Sequence, residues 1–494
     1  MPSPREIERK LDLDPPLSAR ARRVPSILED FADGHASGEM RRLVSTIYDT
    51  PDHALRRLGF VLRVRRVGDR RIQTLKADMA GSFQRVEWEC DIAGDGPDLA
   101  AIPDEAVRHE VEAAGALVPV LATEFDRTLW HIRRDGSDLE LSFDEGTIRA
   151  GGLDAPIREI EIELKSGVPT AIFSLARDIA AEIPARVGLR SKSERGYALL
   201  QEAGAAGKSG TQKEAAPEID RKSRVGAAFQ AIARGCLRQY HLREPGILRR
   251  EANELHKARV AIRRLRTCLK LHRDLVADEE GDRLKRGLRT LSQGLGTARN
   301  LDVLLERLDG GSPEADALRA RVAADREAAY DKLASALRSK RMRLLFLDLM
   351  AYVETGPWLR DPERRKLRDR KARTFARKLL DKRWRRLRKS GRGLAELSVE
   401  DRHEVRIEGK VLRYASEFFA GALPGKKRTK RRDALLDALT EMQTHLGDLN
   451  DIETGVLVVG GEDAPQKDHA REAELVAAAQ AAHTRLRKAE PFWM

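Results

Sequence analysis

Charged and apolar side chains alternate with a period of two through much of the first 200 residues. The clearest run is Glu159-Ile160-Glu161-Ile162-Glu163-Leu164-Lys165. Successive strand side chains project to opposite faces. This run therefore predicts a strand with Glu159, Glu161, Glu163 and Lys165 on one side and Ile160, Ile162 and Leu164 on the other. Val61, Arg63 and Arg65 alternate in the same way with Leu62 and Val64, and Thr74 and Lys76 flank Leu75. Arg85, Glu87, Glu89 and Asp91 alternate with Val86, Trp88 and Cys90. Glu140, Ser142 and Asp144 alternate with Leu139, Leu141 and Phe143, after which Gly146 predicts a turn. The chain also opens on this pattern, with Glu6, Glu8 and Lys10 sharing a face. One helix is expected near residues 170–181. Residues 201–218 are rich in Ala, Gly, Ser and Lys and read as a linker. Beyond them Ala, Leu, Arg and Glu dominate and β-branched runs vanish, so residues 219–494 are predicted to be all-helical.

The charged faces carry both signs strand after strand, where an ordinary solvent-facing sheet mixes Thr, Ser, Gln and Lys. Such faces suit the inside of a closed antiparallel barrel, with acids on one wall and bases on the other. A plain sheet with a charged exterior is the alternative. Two carboxylates beside an ammonium, as in Glu6, Glu8 and Lys10, suit a metal-bound polyanion. The carboxylates hold a hard divalent cation and the lysine meets phosphate oxygens.

The second half contains an internal repeat. His256, Arg259, Arg263 and Arg266 match His403, Arg406, Lys410 and Arg413 in spacing, offset by 147 residues. Downstream, Leu295-Gly296 resembles Leu446-Gly447 at an offset of 151. Repeats of this size predict a duplicated helical bundle, with units at about 219–350 and 351–494. On a helix, positions i, i+3, i+7 and i+10 fall within about 80° of one another. Each repeat thus carries one histidine and three cations in a single stripe. A solvated salt-bridged face interleaves acids with bases, and these stripes do not, so two of them facing each other would form a basic groove. A solvated basic face is the alternative, and either histidine suits packing or capping as well as a phosphate. Metal ligation is disfavoured because no second His or Cys follows at i+4. A further cationic run at residues 382–389 reads as a solvated helix, and residues 424–432 read as a flexible basic loop.

Charge divides the same way. Residues 215–494 hold 61 Lys+Arg and 42 Asp+Glu, a balance of +19, against 31 and 37, a balance of −6, in residues 1–214. The helical half is therefore expected to meet a polyanion, and the acidic half to meet its anion through metal. Aromatics are 5% of the chain, with no evident base-stacking platform, which disfavours nucleic acid. The three cysteines are widely spaced and suggest neither a disulfide framework nor a zinc motif. No apolar leader and no run near the ~18 residues of a membrane span is found, so a cytoplasmic protein away from the membrane is expected.

These residues carry two resemblances. Glu6-x-Glu8-x-Lys10, Tyr48-Asp49-Thr50, Leu62-Arg63-Val64-Arg65, Thr74-Leu75-Lys76, Arg85-Val86-Glu87, Arg127, Asp144-Glu145-Gly146, Glu159-x-Glu161-x-Glu163 and Ser191-Lys192-Ser193 fall in the order of the CYTH superfamily, the triphosphate tunnel metalloenzymes. Residues 1–200 resemble it. The resemblance implies an eight-stranded antiparallel tunnel with flanking helices, and metal-dependent hydrolysis of inorganic triphosphate to diphosphate and phosphate, with Mg²⁺ or Mn²⁺. It makes Glu6, Glu8, Asp144, Glu159, Glu161 and Glu163 candidate metal ligands or water activators. Lys10, Arg63, Arg65, Lys76, Arg127 and Lys192 become candidate phosphate ligands, and Glu161, Glu163 and Lys76 the candidate catalytic set. Residues 219–494 resemble the CHAD domain, through the stretches at His256–Arg266, Leu295–Val303 and His403–Tyr414 and the terminal Pro491-Phe492-Trp493. That resemblance implies binding of inorganic polyphosphate by His256, Arg259, Arg263, Arg266, His403, Arg406, Lys410 and Arg413, which would target or tether the enzyme, with association with polyphosphate granules. The whole is an α+β multidomain protein. Adenylate cyclase or thiamine triphosphatase activity, or a tunnel that only binds, are the alternatives.

Overall fold

The computed structural model describes residues 7–13, 23–33, 37–78, 85–204, 219–308, 313–459 and 469–494. Glu6 lies outside them. The chain forms two compact units, one of residues 1–215 with 335–351 and the other of 216–334 with 352–494.

The first unit is built on one antiparallel sheet. Its strands are β1 (Ile7–Leu13), β2 (Glu39–Asp49), β3 (Phe60–Val67), β4 (Arg70–Asp78), β5 (Arg85–Ile92), β6 (Val118–Arg134), β7 (Ser137–Ala150), β8 (Leu153–Ser166) and β9 (Ala185–Gly188). The ladder runs β5-β4-β3-β2-β6-β7-β8-β1-β9. The eight expected strands are present, and a ninth of four residues adds to β1. No pairing joins β5 to β9 among the described residues.

Helices α1 (Val24–Glu29), α2 (Ala54–Leu58), α3 (Glu105–Ala113), α4 (Thr170–Glu182) and α5 (Lys192–Glu202) accompany the sheet. The period-two pattern decides which face each covers. Leu11, Leu141, Phe143, Ile160 and Ile162 are buried against Leu28 of α1 and Ile172, Leu175 and Ile179 of α4. Burial of each such side chain contributes roughly 1.5–3 kcal/mol. On the opposite face the strands change character along their length. One end is apolar, where Leu121, Phe125, Ile148 and Ile157 pack with Tyr197, Leu199 and Leu200 of α5. The other end carries the charged residues. Helix α5 therefore fills one end of this face and presents its first residues to the charged end.

Gly146 does not turn the chain. It lies inside β7, opposite Phe125 and Ile157. A Cβ there would stand 2.4 Å from the Phe125 Cα and 2.1 Å from the Glu124 carbonyl, so a glycine is required by close approach of β6. The turns fall instead at Asp135-Gly136 and Gly151-Gly152, all at positive φ.

The helices that follow are α6 (Val225–Leu248), α7 (Ala252–Leu271), α8 (Glu279–Arg307), α9 (Pro313–Arg338), α10 (Lys340–Thr355), α11 (Arg365–Arg368), α12 (Ala372–Ser390), α13 (Val399–Phe418), α14 (Lys426–Val459) and α15 (His469–Lys488). Most of α10 belongs to the sheet unit: Leu347 is buried in the α4 layer, and Asp348 accepts a 2.9 Å hydrogen bond from the Arg177 guanidinium. The basic loop expected at 424–432 is instead the first turns of α14, which begins directly after Gly425 at φ +134°.

The duplication is visible in the backbone. Arg224 and Lys371 immediately precede α6 and α12, and they pair as an isolated antiparallel bridge. The Val225 amide donates to Arg370 O at 2.9 Å and the Ala372 amide donates to Ser223 O at 2.8 Å. Each repeat thereby satisfies an otherwise unpaired amide at the start of the other's first helix. His272 and Phe419, which cap α7 and α13 at the same 147-residue offset, meet with ring centroids 5.9 Å apart. Among the described residues no helix is long and apolar enough to cross a membrane.

Candidate active site and basic helical site

Strand register brings the charged residues into rows. Lys10 of β1 lies opposite Glu161 of β8, which lies opposite Ser142 of β7. In the next row Asp12, Glu159, Asp144 and Arg127 are neighbours across β1, β8, β7 and β6. In a third row, on the other side of the first, Glu8, Glu163 and Glu140 are neighbours.

The first two rows form one network. Lys10 Nζ is 2.9 Å from Glu159 and 2.7 Å from Glu161. Lys192 Nζ reaches Asp144 at 2.6 Å and Glu161 at 3.1 Å, and also contacts Glu159. Arg127 forks onto Asp144 with two 2.7 Å hydrogen bonds and touches Glu161. Asp144 and Glu159 are fully buried, and Glu161 nearly so. Burial alone favours a neutral Glu161, but Lys10, Lys192 and Arg127 outweigh it and hold its carboxyl well below the usual range. Burial likewise opposes charge on Lys10, and Glu161, Glu159 and Glu8 outweigh it and raise its pKa. Lys192 is delivered by the first residue of α5, whose start is fixed by a capping box: Ser191 Oγ accepts from the Glu194 amide at 3.1 Å and Glu194 accepts from the Ser191 amide at 2.7 Å.

Asp144, Glu159 and Glu161 each offer one carboxylate oxygen, and these atoms lie within 4.8 Å of one another. Two buried carboxylates and one partly buried carboxylate offer hard oxygen donors that fit a divalent cation such as Mg²⁺ or Mn²⁺.

The arginines of β3 contrast with this network. Arg63 donates to the Thr74 hydroxyl at 2.9 Å and Arg65 to the Ser45 hydroxyl at 3.1 Å. The Arg63 Nε is buried without a hydrogen-bond partner. Burial lowers the pKa of Arg63, offset in part by Glu87 and Glu89. Burial, then Arg63, then Arg127, pushes Arg65 down to about 9. Two guanidiniums here are desolvated and mutually repelled, with hydroxyls where carboxylates would be expected.

Other candidates lie apart from the network. Glu163 pairs with Lys165 at 2.8 Å, and Lys165 also reaches Glu140. Lys76 pairs with Glu87 of β5 at 2.9 Å. The sequence reading passed over Arg195 and Asp12. Arg195 donates to Glu159 at 3.1 Å; it stands one helical turn after Lys192, a spacing that points to the same face. Asp12 continues the alternation of Glu8 and Lys10, and burial followed by repulsion from Glu159 raises its pKa. Gly188 makes room for it, since a Cβ there would lie 2.5 Å from Asp12 Oδ1.

In the helical unit the two stripes meet on α7 and α13. Arg259, Arg263, Arg406 and Arg413 all repel the Lys410 ammonium. The repeated glycines back the repeated arginines: an ideal Cβ at Gly296 of α8 would lie 4.0 Å from Arg259, and one at Gly447 of α14 would lie 3.6 Å from Arg406. His256 stands beside Arg259, Arg263 and Arg299; burial and then these charges lower its pKa. Arg266 turns to the Ser292 hydroxyl at 3.0 Å, and His403 is exposed. The cationic run on α12 serves packing: Arg383 and Arg386 pair with buried Glu408, and Arg388 lies 4.3 Å over the Trp384 ring.

Comparison with known proteins divides the chain in the same way. A family model for the CYTH domain matches residues 4–197 and one for the CHAD domain matches residues 231–456. An inorganic triphosphatase of Haemophilus influenzae is 31% identical over 197 residues, which is 39% of this chain and 54% of that relative. The chain thus spans about half the length of this curated relative. The crystal structure of the CHAD domain from the plant Ricinus communis is 28% identical, covers 57% of this chain and 94% of its own, and has a TM-score of 0.45. PptA from Streptomyces chartreusis is 17% identical, covers 54% of this chain and 99% of its own, and has a TM-score of 0.38. The chain carries a CYTH domain followed by a CHAD domain.

Proposed function

We propose that the sheet unit is a metal-dependent triphosphatase acting on inorganic triphosphate, and that the helical unit binds inorganic polyphosphate. The observation that carries the first part is the pair Arg63 and Arg65, half-buried and hydrogen-bonded to hydroxyls, beside a wall of carboxylates already paired with lysines. An anion with several charges supplies what these arginines lack. The likeness to the Haemophilus triphosphatase supports the same reading.

In this reading Arg63, Arg65, Arg127, Lys10, Lys76 and Lys192 bind and orient the phosphate groups. Asp144, Glu159 and Glu161 would hold Mg²⁺ or Mn²⁺, with Glu8 and Glu163 one row away as further carboxylates for metal or water. The metal would neutralise charge on the phosphoryl oxygens and help ionise water. The residues themselves supply position and electrostatic stabilisation, which carry most of phosphoryl transfer. Water attacks the terminal phosphorus, diphosphate leaves, and one proton passes to solvent.

The test is phosphate release from inorganic triphosphate, ATP, thiamine triphosphate and long-chain polyphosphate with Mg²⁺ or Mn²⁺. Release from triphosphate that is lost in Glu161→Gln is expected. No release from triphosphate would overturn the reading, and cyclic AMP formed from ATP would replace it with a cyclase. For the helical unit, polyphosphate binding that survives Glu161→Gln but is weakened by Arg263→Ala is expected.

A further inference from the structure

Helix α5 joins two walls of the sheet unit's site. Lys192, its first residue, reaches Asp144 of β7 and Glu161 of β8, and Arg195 reaches Glu159 of β8. Positions 195 and 197 stand about 200° apart around a helix, so one turn can touch opposite sides. Tyr197 uses the other side: its hydroxyl donates to Asp49 Oδ2 at 2.6 Å, at the end of β2, and both residues are buried. Asp49 is a junction. Its Oδ1 accepts the amides of Thr50 at 2.7 Å and Leu55 at 2.8 Å, and its Oδ2 accepts the Arg56 amide at 3.1 Å beside the Tyr197 hydroxyl. It thereby fixes the start of α2, which Gly59 at φ +87° turns directly into β3. Strand β3 carries Arg63 opposite Ile47 and Arg65 opposite Ser45 of β2. The Arg56 guanidinium lies 4.5 Å over the Tyr197 ring, and His53 meets that ring edge-on with centroids 5.4 Å apart. Gly196 lets the helix sit close on β6, since a Cβ there would stand 2.7 Å from Leu121 Cδ2.

We propose that Tyr197 and Asp49 are positioning residues, whose hydrogen bond fixes α5 against β2 and so sets where Lys192 stands relative to Arg63 and Arg65. The inference rests on the triphosphatase reading of the sheet unit. A hydroxyl that donates to a carboxylate at this distance makes a charge-assisted bond, stronger than a neutral one. Burial and then the Asp49 contact raise the Tyr197 pKa, so the phenol stays the donor. Five residues of helix, about 7.5 Å, separate Tyr197 from Lys192, and a rigid helix carries a shift at one end to the other. Tyr197 itself packs among Ile47, Leu121 and Leu200 and acts only through the helix. A phosphate chain held by arginines on one strand and by Lys192 on the helix depends on the spacing between them, and a misplacement of about 1 Å can cost roughly a hundredfold in rate.

The experiment measures kcat and KM for triphosphate hydrolysis, together with the melting temperature, in the full chain. The variants are Tyr197→Phe, Asp49→Asn and Lys192→Ala, and each of the first two combined with Lys192→Ala. Tyr197→Phe removes one hydroxyl and keeps the ring beneath Arg56, so it is expected to stay folded at the assay temperature. Its kcat/KM should fall by about 10–100-fold, and Asp49→Asn, which keeps the size of the side chain but not its charge, should fall at least as far. The cycle with Lys192 separates placement from stability. Because Tyr197 acts by placing Lys192, its effect on kcat/KM should shrink to within about twofold once Lys192 is alanine. Asp49→Asn gives the same comparison should Tyr197→Phe melt early. A lower melting temperature with kcat and KM unchanged in the folded variants would overturn the inference. The same loss from Tyr197→Phe with and without Lys192 would also overturn it, leaving the bond a structural one. No phosphate release from triphosphate by the wild type would overturn the triphosphatase reading, and the inference with it.

Discussion

The two cationic sites handle charge in opposite ways. In the sheet unit every lysine of the central network touches a carboxylate, while Arg63 and Arg65 hydrogen-bond to hydroxyls and form no ion pair among the described residues. In the helical unit Arg259, Arg263, Arg406 and Arg413 crowd Lys410, and Glu417 stands 3.8 Å from Arg413. The first site is close to balanced and has its acids and bases placed for separate parts of one small ligand. The second gathers cations of one sign on two facing helices, and in the proposed reading its strength would come from charge summed along a long anion. The comparison separates positioning from attraction within a single chain.

Three measurements would break or sharpen it. The largest effect is expected from Arg63→Ala, which removes the guanidinium whose Nε is buried without a partner. Triphosphatase activity should fall by about 10²–10³-fold, as for loss of one preorganised charge-stabilising donor, with polyphosphate binding unchanged. Equal loss of both would join what the comparison separates. Next, raising salt from 50 to 200 mM should weaken polyphosphate binding by about a hundredfold, for five phosphate contacts on a flexible polyanion. Triphosphate binding in the enclosed network should respond much less, and equal salt slopes would remove the distinction. The third concerns His272, buried between Phe229, Phe375 and Phe419. Burial lowers its pKa to about 4 from an ordinary 6.5. Between those values the unfolded chain binds a proton that the native state does not. The helical unit therefore keeps its full stability above pH 6.5 and loses about 3 kcal/mol as pH falls to 4. Thermal melts of His272→Phe, which copies Phe419 at the equivalent place, should lose this part of the acid sensitivity. An unchanged acid profile would count against burial of a neutral imidazole.

Much of this was legible because it is periodic. Alternation in β1, β3, β7 and β8 and the 147-residue offset between α7 and α13 are regular enough to read directly. Gly146 was misread because a glycine that admits a neighbouring strand has the same local sequence as one that turns. Lys and Arg are good helix formers, so the run after Gly425 continues as α14 rather than a loop. The place of residues 335–351 was hidden for another reason: Leu344 and Leu347 look like any amphipathic helix face, and their partners on α4 are more than 160 residues away. Within the site the sequence identified the right residue types and not their grouping. Glu161 joins Asp144 and Glu159 because strand register puts them in adjacent rows, while Glu163, one row further, falls to Lys165. Arg195 was missed because it is placed by a helix against a sheet, where strand alternation gives no signal.

The backbone bridge between Arg224 and Lys371 has a consequence for ancestry and for cutting the chain. Because the two halves exchange hydrogen bonds reciprocally, a single repeat carries its own complement: the edge it offers is the edge it needs. A one-repeat ancestor would have met this need by pairing with a second copy of itself. Gene fusion then turns an encounter between molecules into one within a molecule, and it frees the two copies to diverge, as Arg263 and Lys410 have done.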